Sequence, residues 1–373
     1  MRRLFFKIKN NKSAVFVTTV LVGSSLCLAF SSCSVEDLNP DSNGAPDDLS
    51  NGDDLPSRTP ENLSGDETTQ SASLPSLLED INDPSVLQDR VKLAGVVASE
   101  DLDCQKIVPF YYEIGNRNTS LTGGSLGDSA PSKDTEMAIA SASKLLFGVF
   151  AFIEKDGRLS NEEIKALNFT SGYSRFSFCG VTRTVGGCFD DKVRFDPQNE
   201  GYFAYSGGHL QKLASLDLEL AAATSEMLAQ KIGDALGIQL SFSMPQPAGG
   251  VATTPEEYAK FLQTILRSQK LKEEFLGQHR VCASPAFCPE AAKSTPIPEN
   301  EKWDYSLGHW VEVDEKTGDN AFSSPGAFGF YPWIDSQKEF YGIVAPSRSS
   351  QSRFFDAVEC GRKIRGAFLT GEY

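Results

Sequence analysis

Apolar residues fall into three regimes along this chain: a short uncharged run of apolar and small residues near the start, a sparse stretch after it, and periodic patterns from about residue 80 onwards. In the periodic region, strand-like patterns occupy 107–115, 307–313, 326–334 and 339–344. Helical patterns occupy 141–154, 210–221, 225–236, 255–267 and 351–368. Of these, 141–154 is apolar nearly all round, which marks a helix buried in the interior. Strands at both ends with helices between them predict an α+β fold, one antiparallel sheet flanked by helices and joined to an all-helical lobe. The boundaries that follow are 81–373 for the folded domain, 34–80 for a tether and 1–33 for a leader.

The leader carries Arg2, Arg3, Lys7, Lys9 and Lys12, then the small apolar run 14–30, then Ser31, Ser32 and Cys33. A basic start, a short apolar core and small residues before a processing point describe a secretory signal peptide. The Cys after two serines resembles the bacterial lipoprotein box, so Cys33 is the expected lipidation site and the N-terminal lipid the expected membrane contact. The run is shorter than the ~20 residues a spanning helix needs. Residues 34–70 hold ten Asp or Glu against one Arg, spaced by Pro, Ser, Gly and Asn. Such a stretch cannot bury enough apolar surface to offset its ordering entropy, so it reads as a disordered spacer. The expected location is the bacterial cell envelope, on the periplasmic or outer-membrane side.

Charge and cysteine narrow the picture. A formal net charge of −15 argues against nucleic acid as a partner. Cys104, Cys179, Cys188, Cys282, Cys288 and Cys360 form an even set in an exported chain, which reads as disulfides. Proximity favours Cys179–Cys188 and Cys282–Cys288 and leaves Cys104–Cys360. Metal ligation is disfavoured because neither C-x-x-C pairs nor neighbouring His residues are present; no metal and no cofactor is expected. The partners expected are a small-molecule or peptide substrate, with the chain itself a monomer.

The strongest chemical signal is Ser141-Ala142-Ser143-Lys144, which occurs once and opens the buried helix. Ser and Lys three apart share a helix face. A Lys drawn into apolar surroundings loses its preference for the charged form, so it can accept the Ser proton near neutral pH. Against this stands the weakness of Ser-x-x-Lys as a pattern in a Ser-rich chain.

Four more segments follow in order: Asp156–Ser160, Leu167–Tyr173, Phe203–Leu210 and Pro247–Tyr258. A fifth, Ser323–Asp335, closes the series. With Ser141–Lys144 they resemble the ordered motifs of the serine β-lactamase and penicillin-binding-protein superfamily, in its class C-like and esterase branch. The resemblance covers most of the mature domain. It implies that Ser141 is the nucleophile, that Lys144 takes its proton, and that Tyr205 shares the transfer and protonates the leaving group. It implies an oxyanion hole from the N–H groups of Ser141 and Ala327, and a Gly326 that lets the strand approach the substrate. Two positions depart from the family pattern. Gly207 stands where Asn is usual, and Ser324-Pro325 stand where Lys or His and Thr or Ser are usual, so the cation that binds a β-lactam carboxylate is absent.

Other matches carry less. Lys316-Thr317-Gly318 spells the family's third motif but lies in a polar segment that reads as a hairpin tip. Gly123-Gly124-Ser125-Leu126-Gly127 matches the nucleophile-elbow pattern, yet lacks the strand before and helix after that the motif needs, and reads as a Gly-rich hairpin loop. His209 reads as structural. Three functions remain open in this order: an envelope serine hydrolase acting on an ester, amide or peptide; a non-catalytic binding lipoprotein with a decayed site; and a β-lactamase.

Overall fold

The computed structural model describes residues 81–373 apart from 82, 181 and 348–353. The leader, Cys33 and the 34–80 tether lie outside the described residues. In chain order run helix α1 (Pro84–Glu100), strands β1 (Phe110–Asn116) and β2 (Ser120–Leu126), helix α2 (Ser143–Glu154), strand β3 (Phe203–Ala204), and helices α3 (Ser225–Leu236) and α4 (Pro255–Arg267). Strands β4 (Val281–Cys282), β5 (Ala292–Ser294), β6 (Asp304–Ser306), β7 (His309–Val311), β8 (Phe322–Ser323), β9 (Tyr331–Ile334) and β10 (Phe340–Pro346) follow, and helix α5 (Phe354–Thr370) ends the chain.

Eight strands form one antiparallel sheet in the order β2-β1-β10-β9-β8-β7-β6-β4. The two terminal regions of the domain therefore meet in this sheet, one strand in from its β2 edge: β1 pairs with β10 from Phe110↔Pro346 to Asn116↔Phe340. This is the α+β architecture that the pattern predicts. No helix among the described residues is long and apolar enough to cross a membrane.

Local chemistry explains the helices that match expectation. Thr224 caps α3 by accepting from Met227 N, and Gly237 ends it with φ +69°. Thr254 accepts from Glu257 N with Pro255 at the first turn, which starts α4 where the sequence places it. Other boundaries move. The expected strand 307–313 shrinks to β7, because Leu307 (φ +42°) and Gly308 (φ +96°) form the turn that separates β7 from β6. That turn presses on α2: a Cβ on Gly308 would lie 2.8 Å from the Lys144 carbonyl oxygen. The expected strand 326–334 begins only at Tyr331, since 327–329 is a turn closed by Gly329 N donating to Gly326 O at 2.9 Å. The pattern at 210–221 is a short helix, Gly208–Lys212, that widens into a π turn at Leu213–Asp217.

Helix α1 and strand β2 are among the elements that go unread in the sequence. Helix α1 is capped by Asp83 and started by Pro84 but is weakly amphipathic. The Gly-rich segment read as a hairpin loop is the edge strand β2. It is extended because it pairs with β1, where a Cβ on Gly123 would sit 2.7 Å from the Tyr112 carbonyl oxygen.

Among the described residues three disulfides are present: Cys104–Cys360, Cys179–Cys188 and Cys282–Cys288. Cys104 lies in a helical turn just before β1, so the long bridge ties that turn to α5. Disulfides belong to an oxidising, exported environment. Beneath the sheet, α5 contributes Arg362 and Arg365 to a buried network with Glu301, Glu312 and Asp319. Thr317 joins it by donating to Glu301 at 3.0 Å. The literal Lys-Thr-Gly copy is thus a turn whose threonine serves this network.

Candidate active site

The residues before α2 form a 3₁₀ turn, Ala140–Ala142, and Ala140 adopts φ +46°. A non-glycine residue in the left-handed region costs about 1–3 kcal/mol and persists only where the surroundings enforce it. Here Ser143 Oγ donates to the Ala140 carbonyl at 2.6 Å and Tyr258 donates to the Ala142 carbonyl at 2.9 Å. Ser141 is thereby held half-exposed at the mouth of an otherwise buried helix.

Lys144 lies one turn on and is buried. Its Nζ donates to Ser141 Oγ at 2.8 Å and to the Ala248 carbonyl at 2.6 Å. No carboxylate contributes to its ionisation, and burial alone lowers its pKa to about 7. The Ala248 carbonyl can only accept, so it fixes one N–H of the amine and leaves the lone pair of the neutral form for the Ser141 proton. Sequence reasoning names the segment holding Ala248 but not this carbonyl.

Tyr205 follows β3 and brings its ring under the lysine, with Nζ 4.9 Å from the ring centroid. Burial raises its pKa to about 12, against a lowering by a hydrogen bond with Ser141. The phenol therefore stays protonated while Lys144 is neutral over the range from about pH 7 to about pH 12. Trp310 stacks on it at 5.3 Å. Behind Tyr205, His209 is fully buried, with Nδ1 2.7 Å from Ser171 Oγ and Nε2 3.1 Å from the Ala204 carbonyl oxygen. Burial lowers its pKa to about 3, and both nitrogens are engaged away from Ser141, so it is structural.

The remaining predicted residues divide. Ala327 lines the same cavity as Ser141 and Tyr205. Ser324 is buried and donates to the Ser141 carbonyl at 3.3 Å, so its hydroxyl faces the 3₁₀ turn. Gly326 has a different reason from the one expected: a Cβ there would strike the Ile139 carbonyl oxygen, so the glycine is required by chain packing before any substrate is considered. At Gly207 a Cβ would lie 2.9 Å from the Phe176 ring and 3.0 Å from Ala248 Cβ, so the space of an Asn side chain is filled by apolar atoms. Ser125 Oγ donates to the Pro131 carbonyl at 2.6 Å on the edge strand, with no base beside it. Among the described residues no cluster of His, Cys, Asp and Glu could hold a metal ion.

In front of Ser141 is a cavity of about 100 Å³, walled by Tyr205, Ile297, Trp310, Ala327 and Phe354 among others. Sequence reasoning missed Ile297, Trp310 and Phe354. Nothing local marks them, because they reach the site from the segment after β5, from β7 and from α5 only through the tertiary fold.

No family model matches the chain, and no curated protein matches it. Solved structures do. A β-lactamase/D-alanine carboxypeptidase from Yersinia pestis, complexed with citrate, superposes with a TM-score of 0.57 at 16% identity, over 76% of this chain and 99% of that one. A hydrolase with promiscuous acyltransferase activity gives 0.53 at 12% identity, over 76% and 99%. A D-amino acid amidase from Ochrobactrum anthropi SV3 gives 0.51 at 14% identity, over 74% and 99%. At these identities the likeness establishes the fold, which is that of the serine β-lactamases and penicillin-binding proteins.

Proposed function

Proceeding from that fold, we propose that the chain is an envelope serine hydrolase working through an acyl-enzyme on Ser141, with an ester, amide or peptide as substrate. The observation that carries the reading is the buried Lys144 Nζ, 2.8 Å from Ser141 Oγ, with a pKa brought down to about 7. A base poised near the working pH combines a populated neutral form with driving force for proton transfer. The amidase and acyltransferase named among the structural neighbours support an acyl-transfer chemistry.

In this mechanism Ser141 Oγ adds to the substrate carbonyl carbon as its proton passes to Lys144 Nζ. The oxyanion lies between the N–H groups of Ser141 and Ala327, where preorganised donors are worth about 3–4 kcal/mol each. Collapse breaks the bond to the leaving group, which takes the Tyr205 proton, and Lys144 returns a proton to Tyr205. Water then adds to the acyl carbon, giving its proton to Lys144. Ser141 Oγ departs and recovers that proton, and the acid is released.

Export by the leader and acylation of Cys33 complete the reading, on the sequence of residues 1–33. Palmitate incorporation in a bacterial host should disappear in Cys33→Ala.

A second reading, a binding protein without turnover, draws on the uncharged sheet side of the cleft, where Ser324 is engaged with the Ser141 carbonyl. A fluorophosphonate probe followed by mass spectrometry separates the two. Hydrolase function requires a single adduct on Ser141 that is absent in Ser141→Ala; a folded protein that takes no label favours the binding protein.

A further inference from the structure

The cavity beside Ser141 has a definite composition. Ile297 is only 4% exposed and belongs to the hydrophobic core, Trp310 is buried against Tyr205, and no lining residue carries a charge. At about 100 Å³ it is smaller than the roughly 300–1,000 Å³ of ordinary ligand pockets. It is also smaller than a cavity of about 150 Å³ that holds one benzene ring.

Its wall is built into the same unit as the acid–base residue. The bridge Cys282–Cys288 closes the loop ahead of β5. Strand β5 then runs parallel to β3, with Phe203 N donating to Ala291 O at 2.8 Å and Tyr205 N donating to Ser294 O at 3.1 Å. Three residues later Ile297 enters the cavity. The backbone that positions the Tyr205 phenol thus also positions Ile297, so wall and proton donor keep a fixed spacing.

Tyr205 is the group that gives its proton to the leaving oxygen in the mechanism above, so the space beside it belongs to the leaving group. Pro325, in the position where a β-lactam's carboxylate would find its polar partners, lines the same space. Resting on the hydrolase reading, we propose that this cavity is a leaving-group pocket for short, uncharged, apolar alcohols, with Ile297 setting its length. Each methylene buried against such a wall contributes about three- to fourfold in kcat/KM until the wall is reached.

The test is a pH-stat comparison of methyl, butyl and octyl acetate, of the acetate ester of glycolate, and of ethyl esters with lengthening acyl chains. Wild type should favour butyl over methyl by at least tenfold, fall again at octyl, and take the carboxylate-bearing ester at least tenfold less well than its uncharged counterpart. Ile297→Ala should move the alcohol optimum to longer chains and leave the ranking of acyl chains unchanged. Should Ile297→Ala melt below the assay temperature, Phe354→Ala, at a half-buried position on the same cavity, must show the same shift. An alcohol profile identical in wild type and variants overturns the proposal, as does a shift confined to the acyl series. Absence of ester turnover together with absence of fluorophosphonate labelling at Ser141 overturns the hydrolase reading itself, a result that a wrong pocket assignment cannot produce.

Discussion

The two sides of the cleft are built on opposite principles. On the helical side, Ser141, Lys144 and Tyr205 are joined by short contacts, and burial brings the lysine pKa to about 7 and the phenol pKa to about 12. On the sheet side, Ser324, Pro325 and Ala327 present no charge, and the Ser324 hydroxyl is turned to the backbone of the 3₁₀ turn. Proton transfer and substrate recognition are therefore separable here. The first depends on desolvation of a few side chains, and the second on which atoms the sheet offers to the substrate.

The most damaging test of the helical side is removal of its members. Ser141→Ala and Lys144→Met should each lower alkyl acetate hydrolysis by on the order of 10⁴- to 10⁶-fold, with the double variant little worse, because groups sharing one proton transfer act as a unit. Comparable turnover in Ser141→Ala and wild type would end the assignment.

The sheet side is tested with carboxylate-bearing β-lactams. Without a cation at position 324 they lose a charge-assisted contact worth about 1.5–3 kcal/mol, roughly ten- to a hundred-fold in transition-state binding. Efficient nitrocefin cleavage by the purified protein would show that another residue supplies the charge.

The pH profile sharpens the contrast. With a base whose pKa is near 7, kcat/KM should rise about tenfold per pH unit below pH 7 and level above it, with no fall until the Tyr205 phenol ionises near 12. A plateau extending down to pH 5 would exclude Lys144 as the base.

Stability under acid should report on both sides at once, since each rests on a buried neutral histidine, His209 behind the helical side and His309 within the sheet. Burial lowers both pKa values from 6.5 to about 3. Between those values the unfolded chain binds protons that the folded one does not, so stability is full above pH 6.5 and declines as the pH falls towards 3. Melting temperatures should drop across that window, and His209→Gln should flatten part of the drop. The smallest effect belongs to Ser125→Ala, which should leave turnover unchanged.

Much of this protein is written locally in its sequence. The capped helices α3 and α4, the buried helix behind Ser141 and the Ser-x-x-Lys spacing need only propensity, capping and periodicity, each decided within a few residues. The two short disulfide loops are legible for the same reason. Long-range contact decides the rest. Gly-Gly-Ser becomes strand β2 because β1 supplies its partners, and the strand expected over 307–313 starts only at His309 because the turn before it must fit against α2. Gly326 is needed by the Ile139 carbonyl oxygen, and Lys-Thr-Gly at 316–318 serves the buried arginine network. The lysine's pKa, the carbonyl that orients it and the Ile297 wall exist only once segments about a hundred residues apart exclude water together. Spacing along the chain nominates the chemistry, but desolvation and shape are properties of the packed interior.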